Sequence, residues 1–220
     1  LKDVGIEEII IVVGHLKEKF QYLKDKYGVY LVENIDYFRM NNISTLFHAA
    51  QYLKRSYILT SDIYMPNNLY HKYEKDSWYA CRYFSGETDE WGVSLDQNNN
   101  IIEVNKHGYN QWAMYGPAFF DFSFSQKILD DIKKLYDIPA AQQFYWEDVY
   151  RNNFHSYKMK ALKLGMEAIY EFESVEELRV FDKSYLENGK NPILDYISHV
   201  FSVDQSKIKE LLPLKADEYY

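Results

Sequence analysis

The chain lacks what several protein classes require. It has a single cysteine, Cys81, among 220 residues. Neither an internal disulfide nor a cysteine zinc site can form, and a lone thiol fits a reducing cytoplasm, which is the expected location. Long apolar runs are missing too. The longest, Ile9–Val13, falls far short of the roughly 20 residues a membrane-spanning helix needs, so no membrane insertion is expected. No basic segment leading into an apolar one marks an export signal. Positive charge is scarce: 33 acidic residues stand against 25 basic, a net charge of −8. Sequence-independent nucleic-acid binders carry the opposite balance, because they neutralise phosphates, and that class is excluded. The chain also opens at Leu1 without a methionine, and LKDVGIEE reads as the end of a helix, so a preceding segment is expected.

What the chain has in excess is aromatic side chains, 22 Tyr with 13 Phe and 4 Trp. One reading is tyrosine-rich packing. The other is that a few of them line a pocket for a planar base or an organic cation. Composition leaves both open.

Hydrophobic periodicity describes an α/β domain. Ile6–Val13 is apolar on both faces and β-branched, as a buried parallel strand is. The spacing of Leu16, Phe20 and Leu23 predicts a helix over His15–Tyr27, closed by Gly28. A strand at Val29–Val32, a helix at Thr45–Lys54 and a strand at Tyr57–Leu59 follow. Short connections between alternating strands and helices imply parallel pairing with right-handed crossovers. The middle changes character: strands at Trp78–Phe84 and Trp112–Phe120 flank a hairpin of Trp91–Leu95 and Ile101–Val104 about an Asp96–Asn100 turn. Helices are predicted at Ser123–Tyr136 and Trp146–Asn153. Strands follow at Lys158–Leu164 and Ala168–Phe172, then a helix at Val175–Leu186 capped by Ser174. Asn188–Pro192 is the best boundary, which gives a domain over 1–187 and a helical extension over 188–220.

Ligands of open parallel sheets sit at the carboxyl ends of strands, where helix N-termini also point. Asp62 falls just past one such strand, and Asn41, Asn42 and Ser44 fall at a helix start. A turn aspartate and ordinary helix capping explain these residues equally well.

The order of several motifs is more specific. GIEEIIIVVGHLKEKFQYLKDKYGV, YFRMNNISTLFHA, SYILTSDIYM, DEW, YGPAFFD, FYWEDVY and IYEFESVEEL, spanning residues 1–186, resemble the nucleotidyltransferases, and within them the bacterial phosphocholine cytidylyltransferases. The resemblance implies a mixed, mainly parallel sheet flanked by helices, with CTP and Mg²⁺ at its carboxyl edge. By motif position it makes Asp62 a metal-binding carboxylate. Glu171 and Glu173 supply the second, the latter standing where the family has Asp. It places Asn41, Asn42 and Ser44 beside the nucleotide. Trp91, Tyr145, Trp146 and Glu147 fall near the choline group of phosphocholine, with Glu147 again replacing a family Asp. Aromatic faces and a nearby negative charge suit a quaternary ammonium, which has no hydrogen-bond donors. Packing at a helix–sheet contact is the alternative for either tryptophan. The family's Gly-rich phosphate loop precedes the first motif and is not in this sequence, so the chain as written is expected to be a poor catalyst. Pro192–Lys215 resembles the opening helices of choline kinase domains that follow the transferase in some proteins. Two other functions stay open: a sugar-phosphate nucleotidyltransferase, and a silent nucleotide-binding or regulatory domain.

Overall fold

The computed structural model describes residues 1–183, 185 and 192–204, with the backbone alone at 192–195. The chain forms two compact units, Leu1–Ile169 and Tyr170–Tyr220. The boundary expected at 188–191, the predicted helix end at Leu186 and residues 205–220 lie outside the described residues.

In the first unit, β1 (Ile10–Val13) and β2 (Tyr30–Glu33) pair in parallel, Ile10 with Tyr30 and Val13 with Glu33. The connection is less regular than its spacing predicts. Leu16 takes a left-handed backbone (φ 52°) and splits it into a 3-10 turn, Lys17–Phe20, and a short helix α1, Tyr22–Tyr27. Gly28 ends α1 at φ 63°, a conformation cheap only for glycine. Helix α2 (Ile43–His48) then leads to β3 (Ser56–Ile58) and a two-residue strand, β4 (Ile63–Tyr64).

The larger sheet is built from β3, β5 (Trp78–Thr88), β6 (Gly92–Leu95), β7 (Ile101–Asn105), β8 (Gly108–Phe120) and β9 (Lys160–Leu164). β8 is its axis, pairing antiparallel with β3, β5 and β6; β5 also pairs in parallel with β9. The sheet is mixed, as expected, and carries more antiparallel pairing than the opening pattern suggests, because hairpins dominate the middle of the chain. β5 and β8 run longer than predicted. The Gly116-Pro117 pair, which in sequence predicts an interruption of this strand, lies inside β8 at a bulge: the strand takes four steps from Met114 to Ala118 while β5 takes two from Cys81 to Tyr79, which absorbs the missing proline donor. Gly116 sits there at φ 115°, and a Cβ would fall 2.1 Å from Ile169 Cδ1.

Two helices cover this sheet. α3 (Phe122–Leu135) starts at Asp121, whose side chain accepts the Phe124 N–H, and buries Phe124, Ile128, Leu129 and Ile132 at helical spacing. α4 (Trp146–Asn152) starts with a reciprocal cap between Tyr145 and Asp148. Between helices and sheet lies an aromatic core. Phe120 meets Phe124 at 4.5 Å and Trp146 at 4.8 Å, and Phe124 meets Tyr157 at 4.8 Å. Tyr79, Tyr136, Tyr150 and Tyr157 are buried packing residues, but more of the described tyrosines are exposed than buried, so packing explains only part of the excess. Cys81 is buried in β5, its thiol pushed up to about 12 by loss of water, so it is an inert packing residue.

The second unit begins with β10 (Tyr170–Glu171), followed by α5 (Val175–Phe181) and α6 (Pro192–Phe201). Ser174 caps α5 by accepting the Glu177 N–H at 3.2 Å, and Phe181 packs on Tyr170 and Phe172. Among the described residues no helix is long and apolar enough to cross a membrane.

Candidate functional site

The carboxyl end of β3 opens onto a cavity of about 380 Å³. Thr60 and Ile63, on either side of the turn that carries Asp62, line its wall together with Tyr64 and Pro117. Asp62 itself is exposed and, among the described residues, has no ion-pair partner, so its charge remains available to a cation. In the second unit, Glu171 ends β10 half-buried, and the exposed Glu173 donates its backbone N–H to the Glu177 carboxylate at 2.9 Å. Among the described residues no cluster of three or more His, Cys, Asp or Glu forms a metal cage. Single carboxylates are nonetheless the donor set Mg²⁺ takes, since it keeps water and substrate oxygens as its other ligands.

The segment before α2 is held by an unusually dense set of hydrogen bonds. Asn41 donates its N–H to the Gln142 carbonyl at 2.8 Å, and its side chain accepts the Asn42 N–H at 2.7 Å. Ser44 is fully buried; its hydroxyl donates to the Asn41 carbonyl and accepts from Asn34. Asn42 occupies the N-cap position, yet its side chain does not cap α2. It reaches across to α4, accepting the Trp146 N–H at 2.7 Å and donating to Glu147 Oε2 at 3.4 Å. Helix capping therefore does not account for Asn42.

Glu147 is the centre of the second group. Its Oε1 accepts the Tyr79 hydroxyl at 3.1 Å and its Oε2 accepts the Asn42 amide. Withdrawal from water pushes its pKa up to about 7. Its own backbone N–H, Asn42 and Tyr79 pull the other way, and Asp148 adds to the rise. Of the aromatic residues matched to the choline group, Tyr145 is 46% exposed and meets Trp91 edge to face at 6.2 Å. Trp91 is half-buried, with Lys106 Nζ 5.1 Å and Arg151 Cζ 5.9 Å from its ring centroid. Both cations are anchored by Asp148, at 2.9 Å and 3.6 Å. Trp146 is 4% exposed, stacked on Tyr79 at 5.6 Å and packed against Phe120, so its ring belongs to the core. The structure thus links Asn42 to Glu147 by a hydrogen bond and Trp91 to Tyr145 by a ring contact, while Trp146 packs into the core.

Sequence reasoning missed Tyr79, Lys106, Asp148 and Arg151. It also missed a buried network behind the Asn41–Asn42 segment. Asp36 accepts from Tyr136 at 2.5 Å, sits 2.8 Å from His48 Nε2 and pairs with Arg39 at 2.7 Å. The Tyr136 hydrogen bond, with those of His48 and Arg39, outweighs burial and holds the Asp36 pKa at about 2. The partners are up to 100 residues apart in sequence, so no local spacing signals them.

Comparison with known proteins gives this geometry a context. No family model matches the chain. It is 32% identical over 190 residues to a 2-aminoethylphosphonate cytidylyltransferase of Lancefieldella rimae, covering 84% of this chain and 77% of that protein. It is 31% identical over 183 residues to a choline-phosphate cytidylyltransferase of Streptococcus pneumoniae, covering 83% of this chain and 80% of the relative. A solved structure of the CTP:phosphocholine cytidylyltransferase from Streptococcus pneumoniae superposes with a TM-score of 0.78 at 31% identity, covering 84% of this chain and 81% of the other.

Proposed function

This chain belongs to the bacterial cytidylyltransferase family that includes choline-phosphate cytidylyltransferase, and we propose that it transfers the cytidylyl group of CTP to phosphocholine. The observation that carries the acceptor assignment is the half-buried Glu147 carboxyl, held between Tyr79 and Asn42 two residues after Tyr145, whose ring meets Trp91. A small cation is the ligand that such a carboxyl gains most from meeting.

The chemistry needs little acid–base help. A phosphate oxygen of the acceptor attacks the α-phosphorus of CTP; the new P–O bond forms as the bond to the bridging α–β oxygen breaks, and pyrophosphate leaves with that electron pair. The attacking oxygen is already ionised, so positioning and charge stabilisation supply the rate. Asp62 would hold Mg²⁺, the metal-binding role that the motif resemblance also gives to Glu171 and Glu173. That ion, when bound, offsets the mutual repulsion of two anionic substrates and the charge developing on pyrophosphate. Asn41, Asn42 and Ser44 form the nucleotide side. Ser44 contributes by fixing the Asn41 backbone, since its own hydroxyl is engaged on both sides. Trp91, Tyr145 and Glu147 receive the cationic end of the acceptor, and Trp146 supports them from the core.

One observation favours a second acceptor. Lys106 and Arg151 already lie over Trp91, and Trp146 is inside the core, so fewer aromatic faces remain for a trimethylammonium than the motif promised. Glu147, by contrast, can accept N–H bonds from a primary ammonium such as that of 2-aminoethylphosphonate, which lends that compound the stronger claim as an alternative. The test is kcat/KM for phosphocholine, 2-aminoethylphosphonate, phosphoethanolamine and glucose 1-phosphate, each with CTP and Mg²⁺, in the full-length protein. Phosphocholine should lead. A lead for 2-aminoethylphosphonate would reassign the acceptor, a lead for glucose 1-phosphate would overturn the cationic-acceptor reading, and no turnover of any would leave a silent nucleotide-binding domain.

A further inference from the structure

We propose that Tyr79 is a positioning residue for acceptor selection, its hydroxyl aiming the Glu147 carboxylate toward the cationic end of the acceptor. The proposal rests on the acceptor assignment above, and it adds a residue that no motif singled out. Tyr79 lies near the start of β5, with its backbone clamped on both sides: it pairs with Ala118 of β8 and with Ala161 of β9. It is 8% exposed, and its ring stacks on Trp146 with an interplanar angle of 24°. A strand with neighbours on both edges is among the most rigid supports a fold offers. Packing alone would be met by phenylalanine. The hydroxyl is the addition, and it reaches Glu147 Oε1 at 3.1 Å.

The Glu147 side chain is long and freely rotating, so the direction of its carboxyl must be set by partners. Asn42 holds one oxygen from the α2 side, at 3.4 Å, and Tyr79 holds the other from the sheet, at the shorter distance. Both donate, and a donor favours the charged carboxylate over the neutral acid. The other charges facing the site are those of Asp148 on α4, which opposes ionisation of Glu147, and the Lys106 and Arg151 cations, which are bound to Asp148. Tyr79 therefore does two things with one hydrogen bond. It fixes where the carboxylate points, and it helps keep the group ionised where a cation is to be received.

The test is Tyr79→Phe, which preserves the ring, its stack on Trp146 and both strand pairings. The acceptor KM should rise about 5–10-fold while kcat and the KM for CTP stay within twofold. The acid limb of the kcat/KM profile for the acceptor should move to higher pH. In a Glu147→Gln background the same change should add less than twofold, because the carboxylate it acts on is gone. A parallel rise in both KM values, or an unchanged acceptor KM, would overturn the proposal. A substrate-free measurement separates it from the acceptor assignment: the midpoint at which folding stability falls with rising pH should move up in Tyr79→Phe. If wild type turns over no phosphocholine and the midpoint still moves, the acceptor assignment fails and the Tyr79–Glu147 link stands. If phosphocholine is turned over and neither midpoint nor acceptor KM moves, Tyr79 is a packing residue.

Discussion

Replacing Glu147 by glutamine should make the protein more stable at alkaline pH and less able to bind its acceptor, and the size of the first effect follows from the site. The Glu147 carboxyl has a pKa of about 7 in the fold, against an ordinary 4.5, chiefly because it is withdrawn from water. A raised acid favours the fold while protonated. Its contribution is complete below the ordinary value, falls as pH rises through the window up to 7, and is lost above it. At about 1.4 kcal/mol per unit, the loss amounts to about 3 kcal/mol on the alkaline side. The glutamine side chain does not titrate. It keeps an oxygen for Tyr79 or Asn42 and forfeits one of the two hydrogen bonds, about 1 kcal/mol. The variant should therefore be about 1 kcal/mol less stable at pH 4, below the ordinary value, and about 2 kcal/mol more stable at pH 9. At about 2–4 °C per kcal/mol for a chain of this size, its melting temperature should cross that of wild type between these pH values and exceed it by about 4–8 °C at pH 9. Thermal melts by circular dichroism without substrate read this directly, and taking the difference between the two proteins cancels every other titrating group. Parallel curves from pH 4 to 9 would show that Glu147 is not held against its charge, and the reasoning would be wrong.

Tyr136→Phe should act at the opposite end of the pH scale. Asp36 is depressed to about 2, first by the Tyr136 hydrogen bond, so its contribution is present above the ordinary carboxylate value and lost as pH falls through 2. The variant should lose about 1–2 kcal/mol at neutral pH and unfold at a less acidic pH; an unchanged acid midpoint in urea-free titration would refute it. Asp62→Asn removes an anionic oxygen from an exposed turn without changing volume, so turnover in the full-length protein should drop by orders of magnitude while folding stability changes by less than about 0.5 kcal/mol. Turnover within a few fold of wild type at saturating Mg²⁺ would remove Asp62 from the metal site.

Much of this protein was legible in sequence because local rules sufficed. The β-branched run ending at Val13, the glycine at 28, the Ser174 cap and the apolar spacing of Phe124, Ile128 and Ile132 are each decided within a few residues, and the elements formed close to where those signals put them. The motifs put Asn42 with the nucleotide and Trp91, Tyr145, Trp146 and Glu147 with the acceptor; in the fold Asn42 is hydrogen-bonded to Glu147 and Tyr145 meets Trp91. Their individual roles were not legible. Whether a tryptophan lines a pocket or a core depends on what covers it, and Trp146 is covered by Tyr79 and Phe120, from distant strands. Asn42 has the look of a cap in sequence; only the approach of α4 turns its side chain away to Trp146 and Glu147. Asp36, His48 and Tyr136 meet through loop closure that no periodicity encodes. Hydrogen-bond partners and the loss of water around a carboxyl are properties of non-local packing. The identity of the elements and the family were therefore written in the chain, whereas the charge state of Glu147 and the cations over Trp91 were decided only by tertiary contact.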